Sequence, residues 1–230
     1  MEWLKNIEIG FRKFLLRTLG LFIHRQRLLR SDVDLHHAKF LFVRQDRIGD
    51  VLVSTPLFAE LKKHYPSAIV DILLSTNNSF VLDNDPLIRK RWIYRKNLFA
   101  VARLIRELRA ERYDFVIDLM DNPSVTSTLF LLLTGGRWNV GLEKDNAYVY
   151  DIRVPLLSRK ETHIVERLAE LLRVFRIDVG ASTLRLHYTT SASSEHFAST
   201  AWQRLKLNGK TVVGINISPT DGVRFWGVGH

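Results

Sequence analysis

Three observations predict an α/β fold built on a mostly parallel, doubly wound sheet. From Lys39 onward, apolar runs of strand length alternate with stretches of helix length, the βαβ repetition that sets a parallel sheet between two layers of helices. The first unit is the plainest. Lys39–Val43 is an apolar run, residues 44–50 form a short polar loop around one glycine, and Val51, Leu52, Leu57, Phe58 and Leu61 recur at roughly helical spacing. Finally, 230 residues with 46% hydrophobic content suffice for one such domain plus an appended segment.

Residues 1–30 precede the domain as a unit of their own. Trp3, Ile7, Phe11, Phe14, Leu15, Leu19 and Phe22 share one helical face, and Lys5, Arg12, Lys13 and Arg17 lie off it. These charges leave no apolar stretch near the ~20 residues that span a bilayer. No small-residue cleavage site marks a signal peptide. A basic amphipathic helix of this kind lies in a membrane interface, the expectation favoured here, or packs on the domain itself.

After the polar connector 31–38, strands are predicted at 39–44, 68–74, 91–94, 115–119 and 138–140, with helices at 50–64, 76–83, 97–111 and 123–133. Asn122 is placed to cap the fourth helix with Pro123 at its first position, and Gly135-Gly136 to stop it. Beyond Tyr150 come a short strand near Val154, helices at 162–177 and 194–207, and a closing strand at 211–217. Residues 218–222, Ser-Pro-Thr-Asp-Gly, form a turn-rich exit, so the domain reads as 39–218 and a linker as 219–230.

The chain has no cysteine, which excludes disulfides, cysteine-zinc sites and a thiol nucleophile. Its eight histidines show no metal-ligand spacing, so no metal site is predicted. A formal charge of +10 favours anionic partners such as phosphorylated sugars, lipid headgroups or nucleic acid. Nucleic acid is the weakest of these, because the basic residues are dispersed and no recognition motif is present.

In open α/β sheets, ligands sit beyond the carboxyl ends of the strands, which puts one at the loop 44–50. The loop has neither G-x-G-x-x-G nor a P-loop pattern, so the ligand is not held as a nucleotide pyrophosphate is in those motifs.

Four segments in order carry a family resemblance. RQDRIGDVLVSTPLFAELKKHYP (44–66) joins a basic loop, Gly-Asp and a helix with Thr-Pro; FVIDLMDN (115–122), THIVERLAELLRVFRIDVG (162–180) and VVGINISPTDGVRFW (212–226) follow it. Together they resemble glycosyltransferase family 9, the ADP-heptose:lipopolysaccharide heptosyltransferases, over about residues 39–226. The resemblance implies the Rossmann-like, acceptor-binding amino-terminal half of a GT-B glycosyltransferase, without a metal or cofactor. It implies inverting transfer of heptose from ADP-heptose to a lipopolysaccharide core sugar at the cytoplasmic face of a bacterial inner membrane. Family members carry a second, donor-binding domain, whereas this chain ends at His230, four residues after Trp226. The expectation is therefore that the donor domain is absent and the chain is inactive alone. The alternative is a noncatalytic remnant that binds anionic glycolipid or a partner enzyme.

By the same resemblance Asp50 holds the general-base position, with Gly49 leaving room for the sugar; the plainer reading of Asp50 is a helix cap. Arg44, Asp46 and Arg47 surround it, either to bind an acidic acceptor or to pair among themselves. Asp118 and Asn122 are expected as further acceptor contacts, Arg224 as a donor-phosphate contact and His163 as structural.

Overall fold

The computed structural model describes residues 18, 29, 33–178, 180 and 184–214. The expected helix over 1–30, apart from Thr18 and Leu29, lies outside them, as do the linker 219–230 and Arg224. Six strands form one sheet, β1 (Lys39–Val43), β2 (Ile69–Ser75), β3 (Lys90–Tyr94), β4 (Phe115–Asp118), β5 (Trp138–Leu142) and β6 (Ile152–Val154). Every pairing is parallel and the order is β3-β2-β1-β4-β5-β6, as in a doubly wound sheet whose direction of winding reverses between β1 and β4.

The helices are α1 (Ile48–Leu52), α2 (Thr55–His64), α3 (Leu98–Glu111), α4 (Val125–Thr134), α5 (Ile164–Ala169) and α6 (Ala192–Arg204). A 3₁₀ stretch Glu170–Phe175 continues α5 and ends at Arg176 in the left-handed region. Alternate strand residues feed two cores. Phe40, Phe42, Ile72, Phe115 and Trp138 pack under α2 and the 3₁₀ stretch. Leu41, Val43, Leu73 and Val116 pack under α3 and α4. Register aligns Phe40, Phe115 and Trp138 on neighbouring strands, so their rings stack with centroids 5.1 Å apart, and Phe175 closes edge-on against both phenylalanines.

Several boundaries differ from the sequence reading. The predicted helix 50–64 is two helices broken at Val53-Ser54. Pro56 has no N–H for the carbonyl of Leu52, and the Thr55 hydroxyl donates to that carbonyl instead at 2.8 Å. Residues 76–83 hold only a 3₁₀ turn, Ser79–Leu82. The fourth helix starts at Val125, capped by Ser124, whose hydroxyl accepts from the amide of Ser127, so Asn122 and Pro123 precede the helix. Gly135, at φ 73°, stops it as expected. Thr211–Gly214 carry no strand, and the rest of the expected closing strand lies outside the described residues. The chain divides into two compact units after Thr189, earlier than the boundary at 218 read from sequence. The second unit contains α6, capped by Ser191.

Candidate functional site

Doubly wound sheets bind their ligands where the winding reverses, here between the loops that follow β1 and β4, and most of the candidate residues stand on these two loops. Arg44 ends β1. It is fully buried, and its amide continues the ladder to the carbonyl of Leu73. Its guanidinium donates through Nε to the carbonyl of Asp50 at 3.0 Å and through Nη1 to the carbonyl of Leu119 just past β4. The same group is ion-paired to two carboxylates, with Nε 3.2 Å from Asp46 Oδ1 and Nη2 3.3 Å from Asp50 Oδ1. One buried cation therefore fixes both ends of the loop and ties β1 to β4. Of the two readings of Arg44, acceptor contact and pairing within the loop, its burial and its ion pair with Asp46 favour the second, and it acts as a clamp inside the loop.

The two carboxylates are half-buried and lie against one guanidinium. Burial and the neighbouring charge of Asp50 push the Asp46 carboxyl up to about 6, and the attraction of Arg44 only partly offsets this. Asn78 braces the loop from β2: its side-chain amide donates to the carbonyls of Arg44 and Asp46 at 3.3 and 3.2 Å, and its carbonyl accepts from the amide of Ser75. Sequence reading missed Asn78. An Asn in a turn after a strand was the available signal, but its partners stand more than 30 residues away.

Asp50 is not the cap of α1. Arg47 occupies that position, without a side-chain cap bond, and Asp50 lies in the first turn. Arg47 and Gly49 are exposed. A Cβ on Gly49 would meet nothing within 4 Å, so packing within the chain does not require glycine there. Arg47 forms no ion pair among the described residues. The rim of the loop thus presents a half-buried carboxylate held from below by Arg44, a bare backbone position and an exposed guanidinium.

Asp118, at the end of β4, departs from expectation. It is fully buried. Its Oδ2 accepts from Tyr150 at 2.6 Å and Ser127 at 3.1 Å and is 3.1 Å from Lys144 Nζ, while Oδ1 accepts from the amide of Met120. Every contact is internal, so Asp118 is a structural node and not an exposed acceptor contact. Burial, with the Asp118 charge, holds the Tyr150 phenol well above its ordinary range.

Asn122 is exposed on the β4–α4 loop, where Arg159 donates to its Oδ1 at 2.7 Å. Beside it Asp121 pairs with Arg159 at 2.9 Å and with Arg167 at 3.1 Å. Neither arginine was singled out from sequence, since Arg159 sits in an irregular loop and Arg167 within the helix predicted at 162–177, far in sequence from Asp121. His163 caps α5 at Nδ1, in keeping with a structural role. Among the described residues no three His, Asp or Glu side chains converge on a metal position.

The family model for glycosyltransferase family 9 (heptosyltransferase) matches residues 101–226, more than half of the sequence. The chain belongs to glycosyltransferase family 9. The match begins after the β1–α1 loop, so Asp50 rests on its own sequence and geometry. Lipopolysaccharide heptosyltransferase 3 of Escherichia coli K12 is 29% identical over 173 residues, 69% of this chain and 46% of that protein. A second Escherichia coli protein of the same name is 35% identical over 91 residues, 36% of this chain and 27% of that protein. This family 9 chain thus spans less than half the length of the curated relatives it matches.

Solved structures agree on the fold. A family 9 glycosyltransferase from Veillonella parvula superposes with TM-score 0.68 at 17% identity, over 83% of this chain and 56% of that one. Escherichia coli ADP-heptose lipopolysaccharide heptosyltransferase II gives 0.57 at 21%, over 71% and 50%. The Escherichia coli heptosyltransferase WaaC with ADP gives 0.52 at 18%, over 70% and 53%.

Proposed function

We propose that this family 9 chain is the acceptor-binding half of a heptosyltransferase that moves heptose from ADP-heptose to a sugar hydroxyl of the lipopolysaccharide core. The observation that carries this reading is the Asp50 carboxylate, held at the crevice rim by buried Arg44 beside the open position at Gly49. In the proposed step Asp50 takes the proton of the acceptor hydroxyl. That oxygen bonds to the anomeric carbon from the face opposite the leaving group, the bond from carbon to phosphate oxygen breaks, and ADP departs with inversion. Arg47 and the Arg159 edge suit an anionic acceptor, and Arg224 is assigned to the donor's phosphates. A lipid-linked acceptor would be met at the cytoplasmic face of the inner membrane, and the basic amphipathic pattern read from the sequence over 1–30 suits contact with that surface. No helix among the described residues is long and apolar enough to cross a membrane.

The test is transfer of radiolabelled heptose from ADP-heptose to deep-rough lipopolysaccharide, by this chain alone and by this chain joined to a family 9 donor-binding domain. Transfer by the joined chain that depends on Asp50 supports the reading. A joined chain that binds ADP-heptose yet transfers nothing to any core acceptor overturns it, and leaves binding of anionic glycolipid as the function.

A further inference from the structure

The corner between β3 and α3 carries side chains that the fold does not use. Leu98 and Phe99 open α3 and are 86% and 89% exposed, the largest values among the exposed hydrophobic residues described. The apolar face of α3 reaches the core through Leu104 and Leu108, and Leu98 stands beyond it. Phe99 continues instead into the outer face of the helix, where Arg103 and Arg106 follow at i+4 and i+7. Just before the helix Arg95 and Lys96 are exposed and form no ion pair among the described residues. From Pro86 to Arg106 the sequence carries seven basic residues and no acidic one; Arg89, Lys90, Arg91 and Arg103 pair with Asp71, Glu111, Asp83 and Glu107, whereas Arg95, Lys96 and Arg106 form no ion pair among the described residues.

We propose that this corner, with Leu98 and Phe99 as its apolar tip and Arg95, Lys96, Arg103 and Arg106 around it, inserts into an anionic lipid bilayer. The sheet is parallel, so the carboxyl ends of β1 and β3 face the same edge. Only β2 separates them, which puts the corner about 10 Å, two strand spacings, across the sheet from the end of β1. Insertion here would bring the loop of Asp50 to the membrane surface.

Charge and area decide the occupant. Two apolar side chains that protrude almost fully supply far less than the roughly 800 Å² per partner of a stable protein interface. A second copy would set this positive corner against itself, whereas an anionic headgroup layer attracts the cations that have no partner, Arg95, Lys96 and Arg106, by about fivefold in affinity for each one near the surface; Arg103 is already paired with Glu107. An apolar tip ringed by Lys and Arg is the pattern of interfacial insertion. The inference rests on the membrane-surface reading above and deepens it. Its test reads no sugar transfer, so the two can fail separately.

The absence of cysteine makes the test direct. The full chain carrying Phe99→Cys is labelled with the environment-sensitive fluorophore NBD and mixed with vesicles of phosphatidylglycerol and phosphatidylethanolamine, or of phosphatidylcholine alone. A Lys63→Cys label, near the end of α2 at the opposite edge of the sheet, is the control. The expected result is a blue shift and protection from an aqueous quencher at position 99 with the anionic vesicles only, and neither at position 63. Leu98→Ser with Phe99→Ser should weaken partitioning about tenfold or more at an unchanged melting temperature, because both side chains are exposed. Three results overturn the proposal: a chain that ignores anionic vesicles, a bound chain whose label at 99 stays open to quencher, and a label protected without lipid as protein concentration rises. The second would place the bilayer contact elsewhere, as at residues 1–30, and the third would make the corner an interface between copies.

Discussion

The ring of Tyr150 fills the space where a Cβ on Gly141 would stand. That atom would lie 2.4 Å from Cζ and 2.6 Å from Cε1. The missing side chain lets the phenol cross β5 and donate to Asp118, so the polar node at the end of β4 depends on a glycine in the neighbouring strand. Gly141→Ala is expected to lower stability by about 3 kcal/mol, the upper part of the usual range for overpacking a tight core. Tyr150→Phe, which keeps the ring and removes one donor to a buried carboxylate, should lower it by about 1–3 kcal/mol. Urea unfolding of both variants checks this, and an alanine variant as stable as the parent would mean that the ring lies elsewhere.

Arg44 makes its contacts as a planar fork, and lysine cannot reproduce them. Arg44→Ala leaves the carbonyls of Asp50 and Leu119 without their donor and two carboxylates without their cation. A loss of roughly 3–5 kcal/mol is expected, with Arg44→Lys intermediate. Denaturant midpoints give the order, and equal stability of parent and alanine variants would remove the clamp.

Asp46 supplies a pH signature. Its folded-state carboxyl is raised above the ordinary 3.8 to about 6, so the native state disfavours its charge. The stability it contributes is complete below about pH 4 and is lost as pH rises through 6. Because the side chain is partly solvated, a swing of about 1–2 kcal/mol is expected. The stability of Asp46→Asn relative to the parent should therefore improve by that amount between pH 4 and 7, whatever constant offset the substitution brings. A flat difference across that interval would show that Asp46 ionises normally.

Asp50→Asn separates chemistry from structure. The amide keeps the shape of the carboxylate and the Asp50 backbone carbonyl still accepts from Arg44, so only the ion pair to Nη2 is lost and the fold should survive with a loss near 1 kcal/mol. Turnover in a chain joined to a donor-binding domain should fall by about 10²-fold or more, as expected for removal of a general base. Turnover at the parent rate would assign the proton to another group.

The layout of the sheet was legible because it depends on short-range patterns. Apolar runs and helical spacing located the six strands of the described residues to within a few residues, and Gly135 marks the end of α4 as its local chemistry requires. The site was legible only as a position along the chain. A charged residue directly after an apolar strand reads as facing solvent or ligand, yet Arg44 is buried because its partner carbonyl lies 75 residues away at Leu119. Asp118 misleads for the same reason: Tyr150, 32 residues on, supplies a contact that no local pattern announces. The cap at Ser124 instead of Asn122 is a closer contest, since both types cap helices and only the loop geometry that engages Asn122 with Arg159 decides it.

The tie from Arg44 to Leu119 uses only a backbone carbonyl on its far side, and so is indifferent to which side chain residue 119 carries. The floor of the crevice is therefore insulated from much of the sequence drift in the β4–α4 loop above it. Side chains at residues 120 and 122 can vary over that constant base, whereas Asp121 cannot, since it is the ion-pair partner of buried Arg167; on the β4 side the character of the rim and the ability to fold are separable at those two positions. On the β1 side the two are bound together, because Asp46 and Asp50 are at once rim and counter-charge.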